Sequence, residues 1–165
     1  MTVLRKVSSF IKLNMETKLL LIEAFIYLGK ARFLKRMPFS KVAPLLGDQM
    51  METSLNPEDF NREVLASISK AIQIMSRYTF WESQCLVKAI ASMKMLEKRN
   101  IESTLYLGTA KDENGELIAH AWLRSGSFYI SGSEGKERFT VIAKFAKRIS
   151  KYPFNETSDK NLSNK

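Results

Sequence analysis

The chain has 165 residues, of which 45% are hydrophobic, enough for one domain with a buried core. Its single cysteine excludes an internal disulfide framework and fits a reducing compartment, so a cytoplasmic location is expected. Met1-Thr2-Val3-Leu4-Arg5-Lys6 carries no signal-peptide pattern, and the longest apolar run, Leu19 to Leu28, is interrupted by Glu23 and is half the ~20 residues a bilayer span needs.

The net charge of +9 is unevenly spread. Residues 1–41 carry nine Lys and Arg against Glu16 and Glu23, and residues 136–151 carry six against Glu137. The stretch between them is slightly acidic. Two basic flanks point to an anionic partner. No nucleic-acid motif, zinc spacing or aromatic-glycine signature accompanies them, so a solvated basic surface is favoured over a specific nucleic acid.

Leu4, Val7, Phe10 and Ile11 recur at helical spacing. After Asn14, residues 16–36 read as a second helix, apolar nearly all round from Leu19 to Leu28 and ending in Lys30, Arg32, Lys35 and Arg36. Such a helix packs on the domain, docks a partner protein or rests on a membrane surface. Pro38, Pro44 and Gly47 break it, and residues 37–56 are expected to be irregular with room for a short helix. Asn56-Pro57-Glu58-Asp59 is a helix start, with a capping side chain, proline at the first helical position and acids in the first turn. The stripe Val64, Leu65, Ile68, Ala71, Ile72 and Met75 carries that helix to about Arg77.

A further helix opens near Ser83 and runs to Arg99, with Leu86, Ala89, Ile90, Met93 and Leu96 inward. Cys85 falls in its first turn, at the edge of the apolar stripe. The period then changes to two. Residues 104–109 and 117–123 read as strands joined by the turn Asp112-Glu113-Asn114-Gly115, and residues 128–131 as a third strand after Ser125-Gly126. Residues 139–145 fit strand or helix equally. After Pro153 the chain is polar and expected to be disordered. The fold class is therefore α+β, a helical N-terminal half followed by an antiparallel β-meander.

Cys85 and His120 are the only residues of their kinds. One opens a helix and the other sits mid-strand. A helix start favours a thiolate through its unpaired N–H groups and dipole, and an imidazole activates a thiol by taking its proton. Taken singly, each residue is more often structural. Together they fit a nucleophile on a helix facing a base on a sheet, as in papain-like enzymes.

The stretches Cys85-Leu86-Val87-Lys88-Ala89, 95–101, Leu105-Tyr106-Leu107-Gly108 and Ala119-His120-Ala121-Trp122-Leu123 resemble the leader peptidases of lasso-peptide biosynthesis. That family is transglutaminase-like in fold and uses a cysteine-protease mechanism. The resemblance covers about residues 57–145, and His-Ala-Trp follows the cysteine by thirty-five residues. It implies a docking segment over 1–50, a transglutaminase-like cysteine peptidase domain over 51–152 and a polar tail over 153–165. It also implies Cys85 as nucleophile and His120 as base, with no cofactor and no metal. The backbone N–H of Cys85, with Gln84 or Trp81 nearby, would line the oxyanion hole. The family's orienting aspartate falls here at Ser131-Gly132, where there is no carboxylate. Glu134 is the nearest acid and takes the orienting role, with Ser131 or a backbone carbonyl as alternatives.

The implied substrate is a ribosomally made precursor peptide. The implied partners are a separate small leader-recognition protein and a cyclase that closes the macrolactam. An inactive peptide-binding scaffold of the same fold and a transglutaminase-like acyltransferase stand as alternatives.

Overall fold

The computed structural model describes residues 13–55 and 62–149. The helix expected over Leu4–Ile11, the helix start at Asn56–Asp59 and the tail after Pro153 lie outside these residues. Helix α1 spans Met15–Lys35, α2 Phe39–Leu46, α3 Arg62–Met75 and α4 Cys85–Glu97. Strands β1 (Asp48–Gln49), β2 (Ser103–Lys111), β3 (Leu117–Ser125), β4 (Phe128–Ser131) and β5 (Thr140–Lys147) form one antiparallel sheet in the order β1-β5-β2-β3-β4. No helix among the described residues is long and apolar enough to cross a membrane.

Local chemistry sets the ends of these elements. Asn14 caps α1 by accepting from the Thr17 N–H at 3.0 Å. In the β2–β3 turn the Asp112 carboxylate accepts from the N–H groups of Asn114 and Glu116 at 2.9 and 2.8 Å, and Gly115 supplies the left-handed residue. The ambiguous segment 139–145 resolves as β5. It crosses to the far side of β2 and pairs there rather than continuing the meander beside β4.

The core lies between the helices and one sheet face. Leu105, Ala121, Leu123 and Phe145 project from the sheet toward Leu65, Ile68 and Ile72 of α3 and Val87, Ile90 and Met93 of α4. Leu21, Ala24, Leu28 and Ala31 of α1 close the same cluster. Residues 13–50 thus contribute α1, α2 and β1 to the core and sheet of the rest. Arg99, just past the end of α4, is tied to the middle of α1 by a bidentate pair to Glu23, both bonds 2.8 Å.

The opposite sheet face carries Thr104, Tyr106, Trp122, Arg124 and Lys144, and residues 50–55 cross it. Arg124, 3% exposed, donates to Tyr106 Oη, Glu52 Oε2 and the carbonyls of Thr53, Ser54 and Gly126. Glu52 also receives Lys144 Nζ at 2.6 Å and Tyr106 Oη at 2.8 Å. A buried guanidinium satisfied by five acceptors holds the crossing segment in place.

Candidate active site

Cys85 is the first residue of α4, half-buried, with Gln84 at the cap position. Gln84 makes no capping hydrogen bond, so the first-turn N–H groups have no side-chain partner from the cap. The loop entering Cys85 is pinned on both sides. Thr79 Oγ1 lies 2.8 Å from Ser83 Oγ and donates to the Trp81 carbonyl at 3.1 Å. Glu82 bridges Arg32 and Lys35 of α1 at 3.1 and 2.9 Å, and Trp81 packs against Phe25 with ring centroids 5.1 Å apart. Helix α1 therefore helps to fix where the thiol stands.

His120 sits on β3 opposite Gly108 of β2. A side chain at 108 would strike Trp122 and Phe139 at 2.9 Å, so the glycine lets both rings close in on that spot. The imidazole lies between them, with centroids 5.8 and 4.9 Å away. Its Nε2 is 2.9 Å from the carbonyl oxygen of Gly132. A carbonyl only accepts, so this contact places the proton on Nε2 and leaves the lone pair of the neutral ring on Nδ1.

Gly132 is what makes that carbonyl available. Strand β4 ends at Ser131, and Gly132 turns with φ 70°. A Cβ there would meet the Ala121 carbonyl oxygen at 2.3 Å. No other residue type fits without moving β3. Among the alternatives for orienting the ring, a backbone carbonyl makes the contact. Glu134 is exposed and lines the neighbouring cleft, with no ion pair to His120 among the described residues.

Cys85 and His120 line one cavity of about 370 Å³. Ser69, Gln73, Ser76 and Arg77 from α3 and the residues after it form one wall, with Cys85 and Lys88 of α4 beside them. Residues 129–134 form the other wall, and Ser69 Oγ ties the two by donating to the Ile130 carbonyl at 2.7 Å. By register His120 shares the sheet face of Trp122, whereas α4 packs on the face of Ala121 and Leu123. The cleft therefore runs past the sheet edge, where β4 stops. No hydrogen bond joins Cys85 Sγ to the imidazole among the described residues. Gln84 and Trp81 do not line the cavity. Trp81 Nε1 is buried and without a hydrogen-bond partner, as is Ser131 Oγ on the cleft wall. No group of three or more His, Cys, Asp or Glu able to hold a metal occurs among the described residues.

The sequence did not single out Gly132, Lys88 or Arg77, all of which line the cleft. The signal for Lys88 was present in the sequence: a cation in a first turn that holds no acid, where the dipole disfavours it.

Helices ahead of an antiparallel sheet, with a thiol at a helix start and an imidazole on the second strand of the hairpin, make an α+β domain in which the two side chains share one cleft. The chain belongs to the transglutaminase-like superfamily, whose family model matches residues 33–144. That superfamily includes cysteine peptidases and acyltransferases. No curated protein and no solved structure matches the chain.

Proposed function

We propose that this protein is a cysteine peptidase that removes the leader from a ribosomally made lasso-peptide precursor. One observation carries the reading. The sole histidine is anchored through Nε2 on the Gly132 carbonyl, which leaves Nδ1 free to accept a proton, and it shares a cleft with the sole cysteine at a helix start. The superfamily supports thioester chemistry, and the motif resemblance supplies the substrate.

The chemistry would run as follows. Nδ1 of His120 takes the thiol proton of Cys85 as Sγ attacks the scissile carbonyl carbon. N–H groups at the start of α4 stabilise the oxyanion. The tetrahedral intermediate collapses to a thioester, and the departing amine takes the proton from the imidazolium. Water, deprotonated by His120, then hydrolyses the thioester. The freed core amine passes to the partner cyclase. An acyltransferase would differ only in the second nucleophile, an amine in place of water.

The outer face of α1 supports a docking role. Met15, Leu19, Ile22, Ile26 and Phe33 are exposed and recur at spacings of four, three, four and seven, so they form one stripe. Lys18, Lys30 and Arg36 flank it. This surface fits the leader-recognition protein, provided that protein presents an apolar patch rimmed by acids. The experiment is a time course with precursor peptide, with and without the recognition protein, followed by mass spectrometry. Release of an intact leader that depends on Cys85 supports the proposal. No cleavage under either condition, with peptide binding retained, would favour the inactive scaffold. The missing thiol–imidazole hydrogen bond is the observation on that side. Equal rates with and without the recognition protein would remove the docking role, and vesicle binding lost in Ile22→Glu would reassign the stripe to a membrane surface.

A further inference from the structure

Two cations line the cleft without partners. Lys88 stands one turn after Cys85 on α4, and Arg77 follows the end of α3. Neither side chain makes an ion pair or hydrogen bond among the described residues, although other cations are paired with Glu23, Glu52, Glu82 and Glu97. Lys88 also stands against the dipole of its own helix, in a first turn that contains no acid. The cleft's one carboxylate, Glu134, is exposed. On the facing wall Ser131, 8% exposed, turns a buried Oγ that has no hydrogen-bond partner. Arg77 is exposed and Lys88 half-buried, so both cations stand solvated and free to meet an anion, whereas the buried Ser131 hydroxyl carries a cost unless a ligand meets it.

We infer that the cleft binds a carboxylate, and that the peptide cut at Cys85 carries Asp or Glu beside the scissile bond, held by Lys88 and Arg77. The peptide part of this inference rests on the peptidase reading, whereas the anion site does not. The carboxylate would sit at the mouth of the cleft, where two cations outnumber Glu134. Ser131 would donate its hydroxyl hydrogen to the bound chain once substrate enters.

Alkylation of the single thiol tests this without any cleavage. Iodoacetate carries a carboxylate and iodoacetamide does not, while both transfer the same carbon to Sγ and release iodide. The ratio of the two rates, divided by that for free cysteine, should exceed one by roughly tenfold at low salt, as one or two half-screened charge pairs give. It should fall toward one in Lys88→Gln and Arg77→Gln, each checked for native circular dichroism, and invert in Lys88→Glu. A normalised ratio of one in the unmodified protein would overturn the anion site. So would a raised ratio unchanged by both substitutions, since the helix start alone would then explain it, and so would a thiol closed to both reagents. A blocked glycine–alanine hexapeptide with one glutamate should protect Cys85 from iodoacetamide better than its glutamine counterpart. Equal protection by the two would remove the acidic-peptide assignment. If the peptidase reading itself fails, it shows separately, as peptide bound but never cut.

Discussion

At the residue scale the site depends on three positions with different tolerances. Cys85→Ala and His120→Ala should each abolish leader release while leaving the thermal transition in place, because both side chains sit on a cleft wall and not in the core. Substantial release by either variant would sink the dyad. Gly132→Ala tests the anchoring carbonyl. Its added methyl meets the Ala121 oxygen at 2.3 Å, so the turn must move and take the carbonyl away from Nε2. The rate per folded molecule should drop by a factor on the order of ten to a thousand, with Ser133→Ala as a neighbour that changes little. Glu134→Ala should keep most of the activity, since the ring is held by the Gly132 carbonyl. A loss of about tenfold or more would return the orienting role to the carboxylate.

At the element scale α1 serves two faces. Its inner residues Leu21, Ala24, Leu28 and Ala31 complete the core against α3 and α4, and its C-terminal end holds the loop that leads into Cys85 through Glu82 and Trp81. Leu28 is fully buried, so Leu28→Ala should cost about 2–5 kcal/mol in denaturant unfolding. A change under ~1 kcal/mol would mean that α1 is peripheral to the fold. Ile22 lies on the exposed stripe of the same helix. Ile22→Glu should leave stability unchanged and remove any stimulation by the recognition protein, which separates the two faces in one pair of variants.

For the whole molecule the network beneath the crossing segment contributes to both pH limits of stability. Lys144, Tyr106 and Arg124 donate to Glu52 and hold its carboxyl well below the ordinary range, at about 2. A carboxyl depressed on folding stabilises above its unfolded pKa near 4.5, and that contribution is lost as pH falls toward 2. Burial pushes the Tyr106 phenol up to about 12, with the Glu52 contact adding to the shift. Its contribution is complete below the unfolded value of 10 and is lost as pH rises toward 12. Thermal melts should therefore fall off below about pH 4.5 and again above about pH 10. Glu52→Gln should flatten the acid limb most. An unchanged acid limb in that variant would show that other carboxylates govern it.

Much of the architecture was legible from local pattern. Periodicity located α1, α4 and the C-terminal end of α3 within a few residues, and the Asp112–Gly115 turn fixed the β2–β3 register, because these features depend on neighbours in the chain. Cys85 and His120 stood out as the single residues of their kinds, and the structure places both on one cleft. Pairing between distant segments left no such trace. The two-residue β1 joins β5 across nearly a hundred residues, and β5 reaches β2 and not β4, because long-range strand pairing is chosen by which edges remain free after the helices pack. The imidazole's partner was likewise decided in three dimensions. A backbone carbonyl has no residue type to announce it, and only the close approach of Gly132 to β3 shows why a glycine stands where a carboxylate was expected. The sequence by itself determined the helices, the hairpin and the chemistry available to the site. The tertiary structure decided which groups face one another across the cleft, because those contacts depend on packing between segments far apart in the chain.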